Sequence, residues 1–219
     1  MTIDSVEVRK TIVQSDFDGT ITEQDVSFML LDAFANGDWR PLLREYRENK
    51  ISVNSFNSRA FGMIKADKST LVDFAKKTMQ IRPGFQQLVS YCQQRDYRFV
   101  IVSNGLDFYI EAILNDIGID NVEIFAAKTE FISGGLEVAY IGPDGNQLEE
   151  GFKKAYTRLF LDEGYRVIYL GNGISDISPA SQAHHIFATG ELETYYDKER
   201  TNFTAFTNLN DIVQTLESL

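Results

Sequence analysis

Two aspartates set two residues apart, Asp16 and Asp18 in DFDGT, close the β-branched run TIVQSD (11–16). In an extended chain residues i and i+2 face the same side, so both carboxyls can meet one substrate. One carboxylate can attack a phosphorus atom and form an aspartyl phosphate. The other can protonate the leaving oxygen and later take a proton from the attacking water. Two further polar sequences, Ser103-Asn104-Gly105 and Gly171-Asn172-Gly173-Ile174-Ser175-Asp176, follow apolar runs, and Lys153-Lys154 opens a helical pattern between them. Ser103 and nearby backbone N–H groups suit phosphoryl oxygens, and one lysine can neutralise charge gathering on the phosphoryl group. Oxygen donors from the first and last of these sequences suit Mg²⁺, a hard ion that keeps several waters. Each sequence alone is compatible with an ordinary turn or a solvated helix face. Their common placement points to chemistry.

The elements that must carry these groups follow from periodicity. RFVIVS (98–103), RVIYLG (166–171) and HHIFAT read as strands, and VEIFAAKTEF with GLEVAYIG as a strand pair turning at Gly134-Gly135. FQQLVSYCQQ, DFYIEAILNDIG, FKKAYTRLFLDEG, SDISPASQA and NDIVQTLESL read as helices. Strands alternating with helices imply an α/β fold, a Rossmann-like three-layer core around a mostly parallel sheet. Active groups of such sheets gather beyond the carboxyl ends of the strands, where these sequences fall. Between Ile21 and Gln80 there is no strand pattern. VSFMLLDAF, PLLREYREN, VNSFNSRAFGMI and STLVDFAKKTMQ carry apolar residues at three- and four-residue spacing, with Asp67 or Ser69 as a cap. A core domain of residues 1–20 and 82–219, with a helical cap domain inserted at 21–81, is the expected organisation.

Composition narrows the function. The chain has 219 residues, 43% of them hydrophobic, and a formal net charge of −11. An acidic balance argues against a nucleic-acid partner. The lone Cys92 excludes an internal disulfide framework and reads as a buried helical thiol. MTIDSVEVRK is too charged for a signal peptide and no run of about 18 apolar residues occurs, so no membrane contact and a cytoplasmic location are expected. Either a monomer or a homodimer is compatible with these features.

DFDGT, VSNG, the 153–154 lysines and GNGISD, in this order, resemble the four motifs of the haloacid-dehalogenase-like phosphatases. The inserted helical segment resembles the cap of the phosphoserine-phosphatase-like branch. Within that branch, FGMI after Arg59 and SNGLDFYI resemble methionine-salvage phosphatases, which act on a phosphorylated methylthio-ketopentenyl compound. The resemblance implies a Mg²⁺-dependent phosphomonoester hydrolase for a small phosphorylated metabolite. It implies catalytic roles for Asp16, Asp18 and Lys153, and metal contacts from Asp16, Asp18, Asn172 and Asp176. Substrate contacts are implied for Thr20, Asp25, Arg59, Ser103, Asn104 and Gly105. Arg59 matches a cap arginine that grips a substrate carboxylate in phosphoserine phosphatases, and Asp25 falls near a cap glutamate. Three features depart from the family: Asn104 stands where many members have Gly, and Asn172 where the branch commonly has a ligating Asp. AYIGPDGNQLEEG replaces a cysteine-rich insertion of some methionine-salvage relatives. Two rival readings stand beside the hydrolase: a non-catalytic phospho-ligand-binding or regulatory protein, in which Asn172 marks decayed metal binding, and a phosphotransferase to an acceptor other than water.

Other residues have plainer readings. Arg40, Arg44 and Arg47 lie at helical spacing and read as a solvated face. Arg59 itself has a second reading as a snorkelling surface residue. His184 and His185, adjacent before a strand, point to opposite faces and read as structural; Trp39 reads as core. Adjacent helix residues point about 100° apart, so Lys153 and Lys154 cannot serve equally. With Tyr156 and Phe160 on one face, Lys153 is the residue expected to reach the site.

Overall fold

The computed structural model describes residues 10–133 and 135–218; the charged segment 1–9, Leu219 and Gly134, where a turn was expected, lie outside the described residues. β1 (Thr11–Ser15) is followed by four helices, α1 (Val26–Phe34), α2 (Arg40–Arg47), α3 (Val53–Phe61) and α4 (Lys68–Thr78). Then come α5 (Phe85–Gln94), β2 (Arg98–Leu106), α6 (Asp107–Asp116), β3 (Glu123–Ile132), β4 (Gly135–Ala139) and α7 (Phe152–Asp162). β5 (Arg166–Gly171), α8 (Ile177–Ala180), β6 (His185–Ala188), α9 (Gly190–Glu199), β7 (Thr204–Ala205) and α10 (Leu209–Leu216) complete the chain.

The strands form one sheet in the order β4-β3-β2-β1-β5-β6-β7. Among the described residues' strand pairs only β3–β4 is antiparallel. β1 lies at the centre, paired with β2 on one side and β5 on the other, and all five of its residues are buried. Parallel strands covered on both faces need side chains that are apolar all round, and Ile12, Val13, Val100, Ile101, Val102, Val167 and Leu170 supply them. The expected α/β fold with a mostly parallel sheet is therefore the observed one. Two elements were not anticipated. GELETYYDKE forms α9, opened by Gly190 at φ 61°, and Thr204–Ala205 adds a short edge strand.

α1 to α4 stand together between β1 and α5. Their apolar faces meet in an aromatic cluster: Phe28 on Trp39 at 5.0 Å, Tyr46 stacked on Phe56 at 5.8 Å, and Phe56 edge-on to Phe28 at 6.4 Å. Trp39 is core, its indole N–H donating to Asp32 at 2.9 Å. Asp25, Ser52 and Asp67 each cap a helix by accepting a backbone N–H. The chain leaves and re-enters the sheet side by side, through an antiparallel bridge between Thr22 and Ile81. No described helix is long and apolar enough to cross a membrane.

Candidate active site

Three carboxyl ends of adjacent strands converge. Asp16 follows β1 and donates its backbone N–H to Leu170 of β5 at 2.9 Å. Asn172 follows β5. Ser103, Asn104 and Gly105 lie inside β2 rather than after it, because the strand runs on to Leu106. The β2–β3 register shifts between Val102 and Leu106, an irregularity that spans this motif. These residues, with Asp18, Asp25 and Lys153, line a cavity of about 330 Å³ whose roof is Phe28, Leu43, Tyr46, Val53 and Phe56 from the helical segment.

Lys153 is 3% exposed and enters from the first turn of α7. Its ammonium lies 2.7 Å from Asp16 Oδ2, 2.7 Å from Asp176 Oδ1 and 3.2 Å from Ser175 Oγ. Gln14 in the buried centre of β1 fixes this turn: it donates to the Lys153 carbonyl at 3.3 Å and accepts from Thr157 Oγ1 at 2.9 Å. Lys154 is exposed. The structure thus separates the two lysines as the helix register requires. Burial would lower the Lys153 pKa, but Asp16 and Asp176 together outweigh it and hold the ammonium above the usual lysine range.

The two aspartates of the first motif have different partners. Asp16 takes the Phe17 N–H at 2.7 Å on one oxygen and the lysine on the other. Burial pushes its carboxyl up to about 6, with Lys153 opposing and Asp176 adding to the shift. Among the described residues Asp18 has no cation partner. It accepts from the Val26 N–H at 3.0 Å, from Ser27 Oγ at 3.3 Å and from the Tyr109 hydroxyl. Burial, followed by the charge of Asp25, raises it well above the carboxylate range. Asp25 itself is pushed up to about 6, chiefly by burial.

Several expected site residues are placed otherwise. Thr20 is buried outside the cavity lining and donates to Asn172 Oδ1 at 3.0 Å, so it orients the asparagine and has no surface for a substrate. Arg59 lies beyond the cavity, its side chain 51% exposed, in an ion pair with Glu45 at 3.2 Å. Its helical phase carries it to the outer side of α3, away from a substrate at Asp16. Asp176 was expected to touch a metal, yet Oδ1 accepts Lys153 and Tyr169 (2.7 Å each) and Oδ2 accepts the N–H groups of Asn172 (3.0 Å) and Gly173 (2.9 Å). Four donors fill a carboxylate's lone pairs, and the group is fully buried. It orients the lysine and the turn. Arg47, expected on a solvated face, lines the cavity mouth and pairs with Glu191 of α9 at 3.0 Å. His184 and His185 brace the sheet: His184 Nδ1 accepts the Val167 N–H at 3.1 Å, and His185 bonds Thr204 at 3.0 Å. Tyr109, Tyr169, Gln14 and Glu191 were not singled out from sequence. Only Gln14 left a signal there, as a polar residue inside an apolar strand.

Oxygen donors remain for a hard cation: the Asp16 carboxylate, the Asp18 main-chain carbonyl and the Asn172 amide oxygen. This donor set fits Mg²⁺ in kind, with one carboxylate fewer than expected once Asp176 is committed elsewhere. An acid pair at the end of a central parallel strand, one member on a buried lysine and the other raised above the carboxylate range by burial and the nearby Asp25, is suited to nucleophilic and acid–base chemistry.

The chain belongs to the haloacid dehalogenase-like hydrolase family, whose model matches residues 13–181. Across 215 residues it is 26% identical to the 2-hydroxy-3-keto-5-methylthiopentenyl-1-phosphate phosphatase of Brevibacillus brevis, covering 96% of this chain and 97% of that one. It is 27% identical over 228 residues to Pdp3-interacting factor 1 of Schizosaccharomyces pombe, covering 96% of each. A substrate-bound phosphoserine phosphatase shares the fold at a TM-score of 0.70 and 18% identity, over 95% of this chain and 99% of that one. The expected enzyme class, a phosphatase of the haloacid dehalogenase-like type, stands with that membership.

Proposed function

We propose that the protein hydrolyses a small phosphomonoester through an aspartyl phosphate on Asp16, with Mg²⁺ held by Asp16, the Asp18 carbonyl and Asn172. The observation that carries this reading is the division of labour between two buried carboxyls of one strand end. Asp16, on Lys153, is the ionised one and attacks phosphorus as the bond to the leaving oxygen breaks. Asp18, held protonated by burial and by Asp25, gives its proton to that oxygen. As a carboxylate it then takes a proton from water, which attacks the acyl phosphate and frees phosphate and Asp16. Ser103 and the backbone around Gly105 face the phosphoryl oxygens, and Lys153 balances their charge. When bound, the cation would neutralise phosphoryl oxygens that the ionised carboxylates of the cavity would otherwise repel.

The roof of Phe28, Leu43, Val53 and Phe56 suits a leaving group with an apolar end. The Brevibacillus relative's substrate is a phosphoester bearing a methylthio group, and it is the first compound to test. Asp16→Asn should lower turnover by at least about a thousandfold while the fold persists, since an amide cannot form the acyl phosphate. Turnover within tenfold of wild type would exclude the covalent route.

A further inference from the structure

Arg82 lies outside the four motifs, next to Ile81 in the return linker. Its guanidinium makes three hydrogen bonds, all to backbone carbonyls: Nε to Thr20 O at 2.8 Å, one terminal nitrogen to Gly19 O at 2.8 Å, the other to Thr207 O at 3.0 Å. Its backbone N–H donates to Ile21 O at 2.8 Å, and its planar head lies over the Phe206 ring at 5.6 Å. Among the described residues it has no ion pair. A half-buried cation held only by carbonyls is an uncommon arrangement, because most such arginines face a carboxylate. Burial draws its pKa below the usual range, and Glu23 offsets this only in part.

The two carbonyls nearest the site belong to the residues that follow Asp18. Gly19 is left-handed at φ 73°, and the Asn172 amide occupies the space a Cβ would need. Thr20, whose carbonyl takes Nε, places its hydroxyl on that same Asn172. Fixing both carbonyls from behind therefore orients two consecutive peptide units. On their other side stand the Asp18 backbone and the asparagine. We infer that Arg82 is a positioning residue for Asp18 and Asn172, clamping the loop after the nucleophile to the linker and to the segment before α10. The clamp requires a planar fork, since one lysine ammonium cannot meet three carbonyls in that arrangement.

The inference rests on the general-acid reading of Asp18, and leaving-group chemistry separates the two. p-Nitrophenyl phosphate departs with little need of a proton, whereas propyl phosphate requires one. Arg82→Gln and Arg82→Lys should lower kcat/KM for propyl phosphate by about tenfold more than for p-nitrophenyl phosphate, through kcat rather than KM. A merely structural role lowers both esters by one common factor, and that result overturns the proposal. So does an absence of effect. Asp18→Asn is the reference. If it is selective while the Arg82 variants are not, the clamp alone is wrong; if it treats both esters alike, the general-acid reading fails and the clamp's role falls with it. Should Arg82→Gln not fold, Arg82→Lys decides the matter, because it keeps the charge near Phe206.

Discussion

Replacing Lys153 by Met tests stability and chemistry together. The ammonium is 3% exposed and lies 2.7 Å from each of two buried carboxylates. Removing one partner of such an arrangement costs about 3–5 kcal/mol, because the remaining charge stays buried and unpaired. Against a total stability of about 5–15 kcal/mol, that lowers Tm by about 6–20 °C for a chain of this length. Lys154→Met, an exposed change, should stay within about 0.5 kcal/mol. Urea denaturation in EDTA measures both. The Asp16 share of the deficit depends on pH in a fixed direction. Its carboxyl sits near 6 with the lysine present, against an ordinary 3.8, and losing the ammonium raises it further. A raised carboxyl takes up a proton on folding, so the deficit is full above the variant's folded pKa and disappears below about pH 6, where both proteins carry the proton. Asp176→Asn in the Met background should return part of the loss, since an amide oxygen can keep the two backbone donors and its NH₂ can face Tyr169. Activity of Lys153→Met should fall about 10²–10³-fold. A loss below 1 kcal/mol, or equal losses for the two lysines, would refute the buried-pair argument.

Gly105→Ala should cut kcat sharply, because a Cβ there would run into Tyr109 Oη and Asp18 Oδ2; unchanged kinetics would mean that this contact does not position Asp18. Cys92 is fully buried and its thiol is pushed up to about 12, so a disulfide reagent at pH 8 should label it only in denaturant. Asn172→Asp adds a carboxylate to the oxygen donors while its Oδ1 can keep the Thr20 hydroxyl. It should lower the Mg²⁺ concentration for half-maximal activity, and an unchanged requirement would remove residue 172 from the ligand set.

The ends of β1 and β5 were legible because each couples a β-branched or apolar run to an abrupt polar sequence, and that junction is local; β2 runs on past its polar sequence to Leu106. The choice between Lys153 and Lys154 was legible too, since adjacent helix residues point about 100° apart and Tyr156 and Phe160 mark the buried face. What failed depended on partners distant in sequence. Thr20 was read as a ligand by its place in the motif, but its hydroxyl answers to Asn172, 152 residues away. Arg47 and Arg59 share one helical periodicity with their neighbours, and only the packing of α2 and α3 decides which faces the cavity. Asp176 was assigned to a metal by resemblance; the tyrosine on β5, the lysine on α7 and the two backbone N–H groups of the turn after β5 that fill its lone pairs meet it in a geometry a string of residues does not display. α9 was missed because Gly190 and a run of acids look like a loop until Leu192 and Tyr196 are seen buried on one face.

An acidic chain that handles an anion needs local rather than global complementarity. At net −11 the long-range field repels a phosphate dianion, and screening at physiological salt confines that repulsion to about 8 Å. Inside the cavity the balance turns on what each carboxyl meets. Asp16 meets a cation that Asp176 and Gln14 hold in place; Asp18 meets hydroxyls, a backbone N–H and the like charge of Asp25. Burial alone would protonate both. Lysine on one side and its absence on the other distinguish them, though they stand two residues apart on the same strand end, and the proposed mechanism makes one the nucleophile and the other the acid. In that mechanism a protonated Asp18 also removes one negative charge from the path of the incoming phosphate, so the group proposed as acid lowers the repulsion that binding must overcome.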